Sequence, residues 1–264
     1  MKKLIFFDTE TTGNTEKDFL CQIAYKSAAS ADSSGEPKGE SFSGLYKPPV
    51  KIPPEASAVH HITNKMIADK ISFTESPEYK KIKELFESDN IVVVAHNAQF
   101  DLMIIKKENI IPKNFICTLR LARYLDPEGK IEKYNLQYLR YLLEIEVEAT
   151  AHDALGDVLV LEKLFERLFI KMKEEIKKDP LALKGTPPSQ VGEEMQAIEK
   201  MIEVSSHPSL LKFINFGKHN GKEVAEIARV DPGYLEWLLA QKEGSDQIDE
   251  DWIYTLKHHL GKLV

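Results

Sequence analysis

The sequence predicts an α/β fold, a mixed sheet with helices on its faces, and three observations carry that expectation. Short strand-like runs come early, at residues 3–9, 22–28 and 41–46. A fourth run, Ile91–Ala95, is largely β-branched and wholly apolar, the pattern of a strand covered on both sides. Helical patterns then dominate, and early strands followed by strand–helix alternation imply a mixed sheet flanked by helices.

Taken in order, Leu4-Ile5-Phe6-Phe7 reads as a buried first strand. Lys2-Lys3 before it has the look of a secretory leader, but Asp8 and Glu10 cut the apolar stretch too short. A turn is expected at Ser33-Ser34-Gly35, between the second and third strands. Residues 47–54 are proline-rich and are expected to be irregular. Residues 64–70 and 77–87 read as helices, the second with Ile82, Leu85 and Phe86 on one face. Further helices are expected at 98–107, 118–125, 136–143 and 154–173.

The character changes after about Lys178. Residues 179–189 have the composition of a linker. The division expected is a main domain at 1–175, a linker with a short helix (193–202) at 176–204, and a small α+β module at 205–264. The module's roughly 60 residues lie near the lower limit for independent folding.

Composition excludes some functions. No apolar run approaches the roughly 20 residues of a membrane helix, so a cytoplasmic protein is expected. Cys21 and Cys117 lie in no Cys-x-x-Cys pair, which argues against a disulfide framework or a zinc site. The formal net charge of -7 argues against a broad basic face for nucleic acid. It does not exclude a site that gathers carboxylates around divalent cations.

Asp8 and Glu10 stand two apart at the end of the first strand, so their side chains share a face. Like charges that close are unfavourable unless neutralised, and hard oxygen ligands suit Mg²⁺ or Mn²⁺. Alone, the pair could be a solvated strand end. A second segment runs Val92-Val93-Val94-Ala95-His96-Asn97-Ala98-Gln99-Phe100-Asp101. It places Asp101 in the first turn of a helix leaving a buried strand, where it either favours the helix dipole or adds a third acid at the sheet edge. His96 and Asn97 read as turn and hydrogen-bonding residues. The third segment is Ala151-His152-Asp153-Ala154-Leu155-Gly156-Asp157. Five helical residues turn about 500°, which would part His152 from Asp157. His152 is therefore expected on the loop before the helix, with Asp157 in its first turns.

Together the three segments, spread over about 150 residues, resemble the DEDD exonuclease superfamily in its histidine-bearing, DnaQ-like branch. That resemblance implies an RNase H-like fold with a mixed five-stranded sheet flanked by helices. It implies a 3′–5′ exonuclease with two Mg²⁺ or Mn²⁺ ions and the quartet Asp8, Glu10, Asp101 and Asp157. Asp8, Glu10 and Asp157 would hold one ion, with Asp8 bridging to the other. Asp101 would act on that second ion largely through water, and His152 would take the proton of the attacking water.

The resemblance extends around the site. Glu55 and His60 match positions that contact substrate in relatives, and Thr11, Gly13 and Phe100 match positions lining the 3′ nucleotide. Phe100 could stack on a base or belong to the core. Relatives commonly carry Gly where this chain has His61, and Leu or Met where it has Asn14, which puts an apolar wedge against the terminal base in doubt. Arg120 and Arg123 could touch phosphates, but a solvated helix face is the expectation. Residues 214–222 and 231–239 resemble the C-terminal domain of exodeoxyribonuclease X-type proteins. Gly217 and Gly221 there suit a tight hairpin, and Lys218 and Lys222 could hold phosphate. The module would hold substrate or set oligomeric state.

The leading functional expectation is a DNA exonuclease acting on single-stranded or frayed 3′ ends in repair or proofreading, as a homo-oligomer or with a polymerase or repair partner. Two alternatives stand beside it. One is an exoribonuclease of the same superfamily. The other is a non-catalytic nucleic-acid-binding or polymerase-associated subunit.

Overall fold

The computed structural model describes residues 2–28, 30–31, 37–147, 153–178, 192–247 and 249–263. Its main sheet has five strands in the order β5-β2-β1-β6-β7. These are β1 (Lys3–Thr11), β2 (Leu20–Ser27), β5 (Ser41–Leu45), β6 (Ile91–Ala95) and β7 (Phe115–Cys117). β3 (Ser30–Ala31) and β4 (Pro37–Lys38) form a separate two-stranded ribbon. The turn expected at Ser33-Ser34-Gly35 lies outside the described residues. β1 pairs antiparallel with β2, and β2 with β5. β1 and β6, then β6 and β7, run parallel. The sheet is therefore mixed, and the carboxyl ends of β1, β6 and β7 share one edge, where α/β sheets usually present their sites.

Strand alternation divides the core into two layers. Phe6, Val92, Val94 and Ile116 face α4 (Thr118–Tyr124), α5 (Leu136–Leu142), α6 (Ala154–Lys178) and α7 (Glu193–Ser206). Ile5, Phe7, Tyr25 and Val93 face α2 (Tyr79–Phe86) and α3 (Ala98–Lys107). α7, expected within a linker, buries Ala197, Ile198 and Met201 in the first layer. It packs on β7 and α6 as a working part of the core.

Two local expectations are corrected. Of residues 47–54, expected to be irregular, the last, Pro54, opens α1 (Pro54–His60). Pro54 sits in its first turn, where a missing N–H costs nothing. Residues 64–70, expected to be helical, are turns. They close a small satellite core in which Ile52, Ile62 and Ile67 pack on Cys21. His61 ends α1 in the left-handed conformation, φ 62°, and its N–H bonds to the Ser57 carbonyl. This is a backbone state that glycine adopts more cheaply.

The C-terminal part has its own core of Ile214, Val224, Ile227, Leu235, Leu238, Trp252 and Leu256. Its helices are α8 (Val224–Val230), α9 (Pro232–Glu243) and α10 (Glu250–His259). Among the described residues its β content is one bridge, Phe213 with Glu223, beside a turn in which Gly217 and Gly221 have φ of 62° and 82°. Among the described residues no helix is long and apolar enough to cross a membrane.

Arg120 corrects the expectation of a solvated helix face. It is 3% exposed, and its guanidinium reaches Asp251 at 3.0 Å, Glu250 at 2.7 Å and the Ser205 carbonyl at 2.8 Å. Arg123 pairs with the other oxygen of Asp251. Both arginines are occupied in docking the C-terminal helices onto α4. A second contact joins Asp246 to the turn after β1. The Glu16 N–H meets the Asp246 carbonyl at 3.3 Å, and Lys17 pairs with the Asp246 carboxylate at 2.6 Å.

Candidate metal centre

The pleat of β1 hands its residues to different partners. Even-numbered positions face α6, so Asp8 and Glu10 extend the line of Phe6 towards that helix. Asp157, in the first turn of α6, meets them there. Asp8, Glu10 and Asp157 each offer a carboxylate oxygen, and these oxygens all lie within 4.8 Å of one another.

Odd-numbered positions face α3, so Thr9 meets Asp101 instead. The Thr9 N–H and hydroxyl both donate to one Asp101 oxygen, at 3.0 and 2.6 Å. Asp101 is 3% exposed and lies outside the three-carboxylate group, yet near enough to act on Asp8. It is positioned by the turn before α3. There Asn97 adopts φ 60°, a left-handed conformation that asparagine tolerates well. The His96 Nε2–H donates to the Tyr134 carbonyl at 2.7 Å, and its Nδ1 accepts from the Thr118 hydroxyl at 2.9 Å. Burial holds His96 down at about 4, so the ring stays neutral and bridges three segments.

The electrostatics follow from this crowding. Burial first, then the neighbouring carboxylates Asp101, Glu10 and Asp157, push Asp8 well above the usual carboxylate range. Burial, then Asp157 and Asp101, raises Glu10 to about 8. Burial raises Asp101 to about 7 against the pull of the Thr9 bonds. A group of acids this hard to ionise has either protons or a cation to balance it.

Three residues that hold the acids have no counterpart among the sequence-based expectations. The Gln137 amide, on α5, donates to Asp157 at 2.6 Å. Gln22 faces Glu10 across the β1–β2 pair, donates to Asp153 at 3.1 Å and accepts from the Ala154 N–H at 3.4 Å. Gln22 thereby fixes the start of α6. Thr9 is the third. Only strand register could have exposed Gln22 and Thr9, and no sequence signal marks Gln137.

The remaining expected residues are spread around the rim. The Thr11 hydroxyl donates to the Gly13 carbonyl. A Cβ on Gly13 would fall 2.6 Å from the Asp18 carboxylate, which the Thr12 and Thr15 hydroxyls and the Thr15 N–H hold in place. His60 is 6% exposed. Its Nδ1 accepts from the Ile62 N–H at 3.0 Å, so Nε2 carries the proton and donates to the Thr11 carbonyl at 3.1 Å. Glu55 is exposed in the first turn of α1. Phe100 is partly buried against the α2–α3 layer. His152 lies outside the described residues.

Comparison with known proteins agrees with this geometry. A family model described as Exonuclease matches residues 5–165, and one described as Exodeoxyribonuclease X-like C-terminal matches residues 214–243. Exodeoxyribonuclease 10 of Escherichia coli strain K12 is 30% identical over 220 residues, 83% of this chain and 84% of that protein. DNA polymerase III subunit epsilon of Treponema pallidum is 35% identical over 169 residues, 60% of this chain and 73% of its own. A structure of Exonuclease X in complex with 5′ overhanging duplex DNA aligns over 76% of this chain and 99% of its own, with TM-score 0.53 and 26% identity. The family is metal-dependent and of DnaQ-like fold, in keeping with the five-stranded mixed sheet and the carboxylate cluster. Sheet, acid cluster and both domain matches converge: the chain belongs to the exonuclease family, as a nuclease with an exodeoxyribonuclease X-like C-terminal domain.

Proposed function

We propose that the chain uses this centre to remove 5′-mononucleotides from single-stranded or frayed 3′ ends of DNA, with two Mg²⁺ or Mn²⁺ ions. The observation that carries the reading is the convergence of Asp8, Glu10 and Asp157 within 4.8 Å. The donor set is all oxygen and anionic, which suits these cations. Bound there, such ions supply Lewis-acid stabilisation and a stronger water nucleophile.

The protein's own part is to position and to move a proton. Asp8, Glu10 and Asp157 would hold the cations, with Gln137 orienting Asp157. Asp101, fixed by Thr9, would act on a second cation beside them. His152 takes the proton of the attacking water, since an ordinary imidazole is ready for that near neutral pH. Thr11, Gly13 and Glu55 line the terminal nucleotide, and Phe100 stacks on its base. His60, with both ring nitrogens engaged, serves the substrate by holding the Thr11 turn.

DNA is favoured over RNA because of Exodeoxyribonuclease 10 and the DNA complex of Exonuclease X. The Treponema pallidum relative, a polymerase subunit, keeps a polymerase or repair partner within the proposal. A cytoplasmic location is supported by the two free, buried cysteines, which suit a reducing compartment. The decisive experiment offers 5′-labelled single-stranded DNA, duplex DNA and RNA of one sequence, with Mg²⁺ or EDTA. A DNA ladder shortening from the 3′ end only with Mg²⁺ is the expected result. Persistence of all three substrates with Mg²⁺ would overturn the reading.

A further inference from the structure

A cleft that the metal centre does not use runs between the catalytic core and the C-terminal helices. Its two parts measure about 440 and 620 Å³, within the roughly 300–1,000 Å³ of ligand-holding clefts. Arg123, Lys133, Tyr134 and Asn215 line both, so the parts form one passage. Asn97 and Gln99, on the turn that delivers Asp101, line its inner end. Asn135 joins them there as the N-cap of α5, the helix that carries Gln137. The outer end reaches Lys212, Asn220 and Gly221 of the C-terminal module.

Most acids of this cleft are partnered, and several of its donors are not. Asp251 and Glu250 are paired with Arg120, and Asp249 with Lys242. Asp126 accepts from the Lys130 and Ile131 N–H groups and the Tyr134 hydroxyl. Glu132, exposed at the rim, is the exception. The side chains of Asn97, Gln99, Lys133, Asn215 and Asn220 have no hydrogen-bond or ion-pair partner among the described residues. Arg123 is committed to Asp251, and its Nε is buried without a hydrogen bond. The Arg123 guanidinium also lies 5.8 Å from the Tyr134 ring centre. Lys212 is held only loosely by Glu223, at 3.8 Å.

A ligand rich in acceptors along its length matches this lining, and a phosphodiester backbone is such a ligand. We propose that the cleft carries the single strand of nucleic acid on the 5′ side of the nucleotide in the metal centre. Lys133 and Lys212 meet its phosphates, and the amide side chains meet sugars and base edges. The inference rests on the exonuclease reading, because a 3′ end at the carboxylates obliges the rest of its strand to leave on the 5′ side. The C-terminal module then contributes to substrate binding, since its Asn215 and Lys212 build one wall of the track.

The test is fluorescence anisotropy in EDTA with 5′-labelled oligothymidylates of about three and about twelve residues, a span suited to single-strand sites. Lys133→Glu and Asn215→Asp are the variants, since both side chains are exposed and unpaired among the described residues. The wild type is expected to bind the longer strand about tenfold more tightly. Lys133→Glu should remove most of that advantage, leave the short strand unaffected and lower the salt slope by about one. Asn215→Asp, which sets a carboxylate against the phosphates, should weaken the longer strand alone. Equal affinity of the wild type for both lengths, or an unchanged length effect in both variants, overturns the proposal. Hydrolysis of the short strand with Mg²⁺ is read in parallel. Its absence counts against the exonuclease reading alone, whereas a wild type without a length effect, or variants that keep it, counts against the cleft alone.

Discussion

Thr9 gives both its backbone N–H and its hydroxyl to a single oxygen of Asp101, at 3.0 and 2.6 Å. The strand that carries Asp8 and Glu10 on one face thus holds the fourth acid from its other face. Register on β1 and aim at the centre are set by one pair of bonds.

Replacing Thr9 with Val keeps the shape and the N–H bond but deletes the hydroxyl. Stability should fall by about 1 kcal/mol, the net worth of a typical hydrogen bond, since the Thr9 N–H still reaches Asp101. Turnover should fall about tenfold while substrate affinity stays near wild type. Steady-state kinetics on single-stranded DNA separate the two, and unchanged turnover would show that Asp101 is aimed by the α3 turn alone.

The raised acids predict a pH dependence of stability that metal should erase. Glu10 moves from 4.5 to about 8, and Asp101 from 3.8 to about 7. Folded protein therefore binds more protons than unfolded protein across that window. Stability contributed by the protonated forms is complete below about 4 and is lost as pH rises to about 8. The melting temperature in EDTA should fall between pH 5 and 8, and saturating Mg²⁺ should restore it most at the upper end. A flat profile in EDTA would mean that the acids ionise without penalty.

Arg120 anchors the C-terminal helices from a buried position. Arg120→Met leaves Asp251, itself 6% exposed, with Arg123 and the Ser209 N–H among the described residues. The cost should be about 3 kcal/mol in urea unfolding, as for a buried pair deprived of one partner. Arg120→Lys should recover little, because one ammonium cannot span Asp251, Glu250 and the Ser205 carbonyl. A loss below about 0.5 kcal/mol would place the contact with ordinary surface pairs.

His152→Ala should reduce turnover by about 10²–10⁴-fold, the usual worth of a general base. Mg²⁺ binding, followed by its effect on the melting temperature, should stay near wild type. Turnover within a few-fold of wild type would remove the residue from the proton transfer.

Much of this arrangement is written in local patterns. Ile91–Ala95 and Ala98–Lys107 lie where their residues predict, because a wholly apolar run and an amphipathic run each fit one element. Other elements depend on context. β7 spans three residues, too few to show a period, and exists by pairing with β6. α1 was hidden by Pro53-Pro54, a pair that reads as a breaker but here opens the helix. Residues 64–70 have helical composition yet fold back as turns to cover Cys21 with Ile67.

The carboxylates were legible in the chain because their chemistry leaves few alternatives: Asp8 and Glu10 share a strand face by the two-residue repeat alone. Asp157 could be grouped with them through the family resemblance, but the rest of their company was not legible. Gln22 and Gln137 steady the site and Arg120 turns inward, all through contacts between residues far apart in sequence. Strand order and helix docking create those contacts, since a periodic pattern gives each element its inward face but leaves open which element will cover it.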